Sequence, residues 1–192
     1  MRHRELLSAI SDLDSVAVGG DFERHCGLRW NDLAPSAAGG RWGARRAFEV
    51  LYLGRPRESV VAEAYRHLVD DELDRPGELA AAVIERRVLM CEVAVDDILD
   101  LRPRQARAAV GLTDEDLFSE PGEYDRCQAV GAAAHQLGRH GVIAPSASRL
   151  GETLALFSTN LPAEQWPTVK ARDLWRGLPP DPRVLRAVED LA

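Results

Sequence analysis

The stretch from Gly39 to His67 constrains the fold of this chain more than any other. It opens with two glycines, continues with the apolar run Val50–Leu53, and carries a helical pattern after Pro56. Glycines allow a tight loop, a short apolar run suits a buried strand, and proline is tolerated in the first turn of a helix. We therefore predict a strand at Val50–Leu53 and a helix at about Arg57–Val69.

The rest of the chain mixes strand and helix patterns. Two further apolar runs predict strands, at Val88–Val95 and Leu154–Phe157, and regular structure breaks at Ile143–Ser146 before the second of them. Helical patterns occur at Leu79–Arg87, from Tyr124 to Gly138 or Gly141, after the capping box of Thr113 and Asp116, and from Asp181 onward. This order is too irregular for a doubly wound parallel sheet, so we predict an α+β fold.

Length and composition favour one globular domain. With 192 residues the chain can form a core at about 22–161, followed by a C-terminal arm and helix at 162–192. Its 24 basic and 31 acidic residues give a net charge of −7, which argues against direct binding to nucleic acid or to an anionic membrane. No window reaches the roughly 18 apolar residues that span a bilayer, and three widely spaced cysteines predict neither disulfides nor a zinc site. We expect a cytoplasmic protein.

Several common catalytic motifs are absent from the sequence. It contains no GxGxxG or GxxxxGK[ST] loop to cradle phosphates, no HExxH helix and no GxSxG elbow. Zinc peptidases of the HExxH type and the common serine hydrolases are therefore excluded.

Glu63 is the first candidate for chemistry. On the predicted helix it shares a face with Val60, Ala64 and His67, so its carboxylate points where the apolar residues point. An unpaired carboxylate is rarely buried, because desolvation disfavours its charged form. Glu63 therefore either belongs to a functional site or forms a salt bridge with Arg66, His67 or a core arginine.

Three more residues suit a pocket for an anionic substrate. Arg41 lies between glycines and is able to hold a pyrophosphate or carboxylate through two hydrogen bonds, or to pair with an acidic residue of a loop. Tyr52 either stacks on or hydrogen-bonds to a substrate, or belongs to the core. Ser146 either orients a ligand or is an ordinary turn serine.

Four segments together match a known family: GGRWG, VLYLG, AEAYRH and GVIAPSASRLGETLALF. With them the sequence resembles the RES-domain family, named for its arginine, glutamate and serine, from about Phe22 to Leu161. Its members include toxins of toxin–antitoxin pairs that work with an Xre-type antitoxin. The resemblance implies such an antitoxin as partner, in a hetero-oligomer.

The resemblance also implies the site residues. Four residues match the functional positions of the family by type and order: Arg41, Tyr52, Glu63 and Ser146. An upstream arginine of the family corresponds to Arg24, with Arg29 as the competing assignment.

The activity that the resemblance implies is depletion of NAD⁺, in a fold like that of ADP-ribosyltransferases with small packed sheets flanked by helices. Members break the bond between nicotinamide and ribose, with inorganic phosphate (NAD⁺ phosphorylase) or water (NAD⁺ glycohydrolase) as acceptor, and require neither a metal nor a cofactor. Arg24 and Arg41 would hold pyrophosphate or phosphate, and Tyr52 would pack against nicotinamide or its ribose. Glu63 would stabilise the oxocarbenium-like charge or orient the acceptor, while Ser146 would position the ribose or the nicotinamide.

Two other functions suit the same residues. The pocket could transfer ADP-ribose to a protein or small molecule, which a wide open mouth would favour. The chain could also be a catalytically silent module that binds an Xre-type DNA-binding partner, although the presence of both Glu63 and Arg41 argues against this function.

Overall fold

The computed structural model describes residues 1–70, 85–119 and 123–184. Its strands are β1 (Ser15–Gly27), β2 (Val50–Arg55), β3 (Arg86–Asp100), β4 (Gly141–Pro145), β5 (Glu152–Phe157) and β6 (Thr168–Trp175). The helices that lie entirely within these ranges are α1 (His3–Ser11), α2 (Arg57–Tyr65), α3 (Arg104–Ala109), α4 (Asp114–Phe118) and α5 (Asp125–Gln136), with a π-helical turn at Arg66–Asp70 after α2 and a 3₁₀ turn at Ala163–Gln165. None of the helices in these ranges is both long and apolar enough to cross a membrane.

The strands form one connected sheet in the order β1-β2-β5-β4-β3-β6, and β1 also pairs with β3, so that five of them close into a ring. One edge of β3 pairs with β1 from Arg86 to Leu99. Its other edge pairs with β6 near its start and with β4 at its end. The prediction of separate small sheets is therefore wrong, because the 15-residue β3 contacts three strands and joins them all.

One apolar cluster receives side chains from all five strands of the ring and therefore fills its interior. Its larger members are Phe22, Leu51, Leu53, Leu89, Ile98, Ile143, Leu154 and Leu156. Because side chains alternate between the two faces of a strand, the intervening residues point outward. On the outside, α1 and α5 pack around Trp42 and Phe157, and α2 packs with Val88 and Trp175.

Most of the predicted elements are confirmed. The predicted strands are present at Val50–Leu53, Val88–Val95 and Leu154–Phe157. Helix α2 begins at Arg57 as predicted, and Thr113 and Asp116 form the capping box. The helix predicted from Tyr124 ends at Gln136, just before Gly138, whose φ of 82° is the left-handed conformation that favours glycine.

Two local predictions are wrong. Ile143–Pro145 belongs to β4 rather than to a break, because β4 lies between β5 and β3 with both faces buried and so lacks the alternation of a half-buried strand. Arg86 and Arg87 open β3 rather than ending a helix. Arg87 Nη1 bonds Asp32 there, a partner remote in sequence. The rest of that predicted helix, 79–84, lies outside the described residues.

The predicted C-terminal arm contains a strand of the sheet. β6 pairs with β3 in antiparallel register from Thr168 to Trp175, and most of its side chains are exposed because it lies at the edge of the sheet. Most of the helix predicted from Asp181 onward falls after residue 184 and so lies outside the described residues.

Candidate functional site

The carboxylate of Glu63 on α2 contacts the loop at 146–151 after β4, here named the serine loop. Ser146 Oγ donates a hydrogen bond of 2.8 Å to Glu63 Oε1, and the backbone N–H of Ser148 donates another of 3.1 Å to the same oxygen. Ser146 is fully buried, whereas the Glu63 side chain keeps 23% of its surface exposed. The protein therefore fixes one oxygen of this carboxylate and leaves the group within reach of solvent.

The salt-bridge alternative for Glu63 is present only at long range. Glu63 Oε2 lies 3.9 Å from Arg66 Nε and 3.8 Å from His67 Nε2, which is beyond hydrogen-bond distance. The contacts that orient the carboxylate are thus those of the serine loop. Arg66 contributes positive charge beside the second oxygen.

Internal hydrogen bonds shape the serine loop. Ser146 N donates to Gly151 O at 2.8 Å, and Arg149 N donates to Ser146 O at 2.9 Å. Arg149 has a φ of 62°, which is uncommon for a residue other than glycine, and its guanidinium lies 4.3 Å from the centre of the Phe118 ring. Ser146 was predicted from the sequence and Ser148 was not, although the two-residue spacing of the serines was an available signal.

Arg41 is bonded to neutral oxygens rather than to a carboxylate among the described residues. Its Nη1 donates to Asp116 O at 2.9 Å and to Ser119 Oγ at 3.2 Å, and its Nη2 donates to Ser119 O at 3.1 Å. The guanidinium also lies 4.5 Å from the centre of the Tyr124 ring. These contacts orient Arg41 without neutralising its charge. Among the described residues, Arg41 therefore does not form the ion pair with an acidic loop residue that the sequence left open.

The carbonyl oxygen of Ser119 connects Arg41 to Glu63. Arg66 Nη2 donates to this oxygen at 3.0 Å, beside the bond from Arg41. Arg66 in turn lies next to Glu63 Oε2. One continuous set of contacts therefore runs from Arg41 through the Ser119 carbonyl to Arg66 and Glu63. It joins the loop of Arg41, the residue after α4, and α2 with the turn that follows it. From the sequence, Arg66 was predicted only as an ion-pair partner of Glu63, and no signal pointed to Ser119.

Tyr52 supports the loop that carries Arg41. Its hydroxyl accepts a hydrogen bond of 3.0 Å from Trp42 N, and burial raises the pKa of the phenol, which therefore stays protonated. A Cβ on Gly40 would lie 2.7 Å from the same hydroxyl oxygen, so only glycine permits this close approach. Tyr52 thus adjoins the cluster and positions Arg41 through the backbone.

Arg24 lies on the other side of the sheet from the Tyr52 side chain. Alternation along β1 places it on the face of Phe22, in the ring interior. Its Nη2 donates to Ala34 O at 3.0 Å and its Nη1 to Tyr52 O at 3.5 Å, while its buried Nε has no partner among the described residues. Burial lowers the pKa of Arg24. The competing assignment, Arg29, is exposed. The structure therefore brings Arg24 to the strand of Tyr52 but not to the Glu63 carboxylate.

His25, the residue after Arg24, is a half-buried histidine that was not predicted as a site residue from the sequence. Its Nδ1 lies 3.0 Å from Arg86 Nη2, and its ring stacks on that of Trp175 with 6.0 Å between the ring centres. Burial, together with the nearby charges of Arg86 and His67, lowers the pKa of His25 to about 3. His25 is therefore neutral at physiological pH.

We expect the free energy of unfolding to fall as the pH drops below about 6.5. In the unfolded chain this histidine becomes protonated below about pH 6.5, whereas in the folded chain it stays neutral down to about pH 3. The contribution of His25 is a slope of up to about 1.4 kcal/mol per pH unit in that window. Urea unfolding between about pH 7 and about pH 5 measures it. His25→Gln keeps a hydrogen-bond acceptor and should show a shallower slope; equal slopes would contradict the assignment.

A cavity of about 510 Å³ beside the serine loop is less suited to an anion than the cluster around Glu63. It is lined by Arg55, Pro56, Arg102, Pro145, Gly151 and Glu152. Both of its arginines already have carboxylate partners, since Arg55 lies 2.6 Å from Glu152 and Arg102 lies 2.9 Å from Asp100. Within the described ranges, no three or more His, Cys, Asp or Glu side chains are grouped to hold a metal ion.

Comparison with known proteins places these residues in a family context. The RES domain family model matches residues 23–177. NAD(+) phosphorylase MbcT of Mycobacterium tuberculosis strain H37Rv is 34% identical over 119 residues, which cover 62% of this chain and 61% of that protein. The probable NAD(+) phosphorylase Rv3189 of the same strain is 34% identical over 129 residues, 67% of this chain and 58% of that protein. The chain thus spans about three fifths of the length of the curated relatives that it matches.

A solved structure shares the fold. A chain of the M. tuberculosis MbcT-MbcA toxin-antitoxin complex superimposes with a TM-score of 0.77 and 24% sequence identity, covering 89% of this chain and 92% of that chain. The likeness shows that the arrangement of the sheet and its flanking helices is shared.

Proposed function

The chain belongs to the RES domain family, and from that premise we propose that it is a toxin-like enzyme that depletes NAD⁺ by phosphorolysis. The observation that carries the proposal is the carboxylate of Glu63, held at one oxygen by Ser146 and Ser148 and adjoined at the other by Arg66. The names of the relatives, NAD(+) phosphorylase and probable NAD(+) phosphorylase, support this choice of substrate and acceptor.

The proposed reaction replaces the bond between the nicotinamide nitrogen and C1 of its ribose by a bond between a phosphate oxygen and the same carbon. An oxygen of inorganic phosphate forms a bond to C1 while nicotinamide leaves with the bonding electron pair. Nicotinamide leaves as a neutral molecule because it is cationic when attached, so its departure needs no general acid. The ribose ring gains positive charge in the transition state, and the preorganised carboxylate of Glu63 stabilises that charge.

The arginines supply the opposite charge. Arg41 is oriented by the Ser119 carbonyl and the Tyr124 ring without a counter-ion among the described residues, which suits it to the pyrophosphate of NAD⁺ or to the incoming phosphate. Arg24 is a half-buried guanidinium whose hydrogen bonds go to backbone carbonyls and whose Nε has no partner among the described residues. A charge that is removed from water without a counter-ion is costly, so a bound phosphate group would stabilise Arg24 and we propose it as the second anion-binding residue. Ser146 fixes Glu63, and Tyr52 fixes the loop of Arg41.

We further propose an antitoxin of the Xre type as protein partner, in a hetero-oligomer. A structural neighbour is part of a toxin-antitoxin complex, which supports an antitoxin as partner; the Xre type comes from the family resemblance. We also propose that the closed ring of strands with flanking helices is a variant of the ADP-ribosyltransferase fold.

The test is an assay of NAD⁺ with the purified protein in the presence and absence of inorganic phosphate, followed by proton and phosphorus NMR. We expect nicotinamide and an ADP-ribosyl phosphate in equal amounts, and only when phosphate is present. Nicotinamide with free ADP-ribose in phosphate-free buffer would instead identify a glycohydrolase. Label from NAD⁺ retained on a protein would identify a transferase, and no nicotinamide release by the folded protein would overturn the proposal.

A further inference from the structure

Three hydroxyl groups, one on α2 and two on the serine loop, form a series of hydrogen bonds that ends on the Glu63 carboxylate. Ser59 Oγ on α2 lies 3.4 Å from Ser148 Oγ, which lies 2.8 Å from Ser146 Oγ. Ser146 Oγ lies 2.8 Å from Glu63 Oε1. Ser59 and Ser146 are almost completely buried, at 1% and 0% exposure, whereas Ser148 between them is half-buried.

The carboxylate sets the direction of each hydroxyl proton in this series of hydrogen bonds. An ionised carboxylate only accepts hydrogen bonds, and a hydroxyl has a single proton to donate. Ser146 therefore uses its proton on Glu63 and accepts from Ser148. Ser148 has then used its own proton, so it accepts from Ser59 and also from Leu150 N at 3.3 Å. All three hydroxyl protons point toward Glu63, and each bond polarises the next.

Ser148 takes part twice. Its hydroxyl is the middle member of the series, and its backbone N–H donates to Glu63 Oε1 at 3.1 Å and to Ser146 Oγ at 3.2 Å. Oε1 thus receives two donors from the serine loop, while Arg66 and His67 approach Oε2 only to 3.9 and 3.8 Å. The two oxygens of the carboxylate are therefore not equivalent.

We propose that Ser148, supported by Ser59, is a positioning residue that fixes Glu63 Oε1 and so presents Oε2 to the substrate. This inference rests on the proposed function and adds to it which oxygen of Glu63 faces the ribose. Ser148 itself does not touch the reacting atoms. It acts by holding Ser146 and the carboxylate in one orientation.

The kinetic test compares variants of Ser148 and Ser59 in the NAD⁺ assay. Ser148→Ala removes the middle hydroxyl, and we expect kcat to fall about tenfold with KM within about twofold of wild type, the loss of one or two hydrogen bonds. Ser59→Ala should lower kcat about threefold, because it removes only the outer bond. Ser148→Thr keeps the hydroxyl and should restore kcat to within about twofold. Ser158→Ala, which removes a hydroxyl bonded to Glu49 O, is the matched control and should match wild type.

A second readout does not depend on turnover. In proton–nitrogen NMR spectra, Glu63→Gln should move the Ser148 amide proton upfield by more than its neighbours in the serine loop, because the amide loses a charged acceptor. An inactive wild type with this shift would sink the proposed function and leave the positioning contact established. An active wild type in which Ser148→Ala keeps full kcat, or an unmoved Ser148 amide, would overturn the role of Ser148.

Discussion

Replacement of Glu63 by glutamine is expected to lower the rate of nicotinamide release by on the order of 10³-fold. Glutamine has the same shape, and its side-chain oxygen is still able to accept the hydrogen bonds from Ser146 and Ser148. Only the negative charge is lost. That charge is the group that we assign to stabilising the ribose in the transition state, so the loss should appear in kcat with a smaller change in KM.

The measurement is the initial rate of nicotinamide formation at saturating NAD⁺ and phosphate, with a thermal unfolding curve of each variant. Glu58→Gln is the matched control, because Glu58 is an exposed carboxylate in the first turn of the same helix. It should retain the wild-type rate. A Glu63→Gln protein that folds normally and keeps its rate within a few-fold of wild type would remove Glu63 from the catalytic machinery.

The second large effect is on stability: Gly131→Ala is expected to lower the free energy of unfolding by about 2–3 kcal/mol. Alanine in the interior of a helix normally stabilises by about 1 kcal/mol relative to glycine. Here the sign reverses, because a Cβ on Gly131 of α5 would overlap the carbonyl group of Trp42, a backbone group that cannot rotate away. Since Trp42 follows Arg41, the displaced backbone should also lower activity.

Urea unfolding of Gly131→Ala and Gly138→Ala separates the overlap from the general effect of adding a methyl group. Gly138 follows the same helix, and a Cβ added there would meet no atom within 4 Å, but its φ is 82°. Its substitution should cost about 1 kcal/mol through backbone conformation alone. A Gly131→Ala protein as stable as wild type would show that α5 is able to move away from Trp42.

The sequence was sufficient for those site residues whose position depends on local geometry. Glu63 could be placed on the apolar face of α2 because a helical repeat is a property of neighbouring residues. Arg66 and Ser119 could not be placed, because their contacts join α2, the end of α4 and the loop of Arg41, which are remote in sequence. Arg24 was selected by resemblance, and its position in the ring interior followed only from the pairing of β1.

The same distinction explains the fold. Val50–Leu53 and Leu154–Phe157 carry enough apolar residues to be recognised as strands in isolation. β4 was not recognised, because a small, continuous buried run ending in proline has no alternation and resembles a break. Closure of the ring is likewise a property of strand pairings between distant segments, which no window of the sequence contains.

The pairing of β1 with β2 has a consequence for the movement of the candidate site. The two strands meet at the single register pair Glu23 and Gly54, whereas β1 and β3 pair along almost their whole length. The ring therefore has one narrow seam. Glu23 at this seam also bonds Arg57 at 2.9 Å, at the start of the helix that carries Glu63. We therefore expect any widening of the seam to shift α2, which would couple access to the half-buried Arg24 to the orientation of the Glu63 carboxylate.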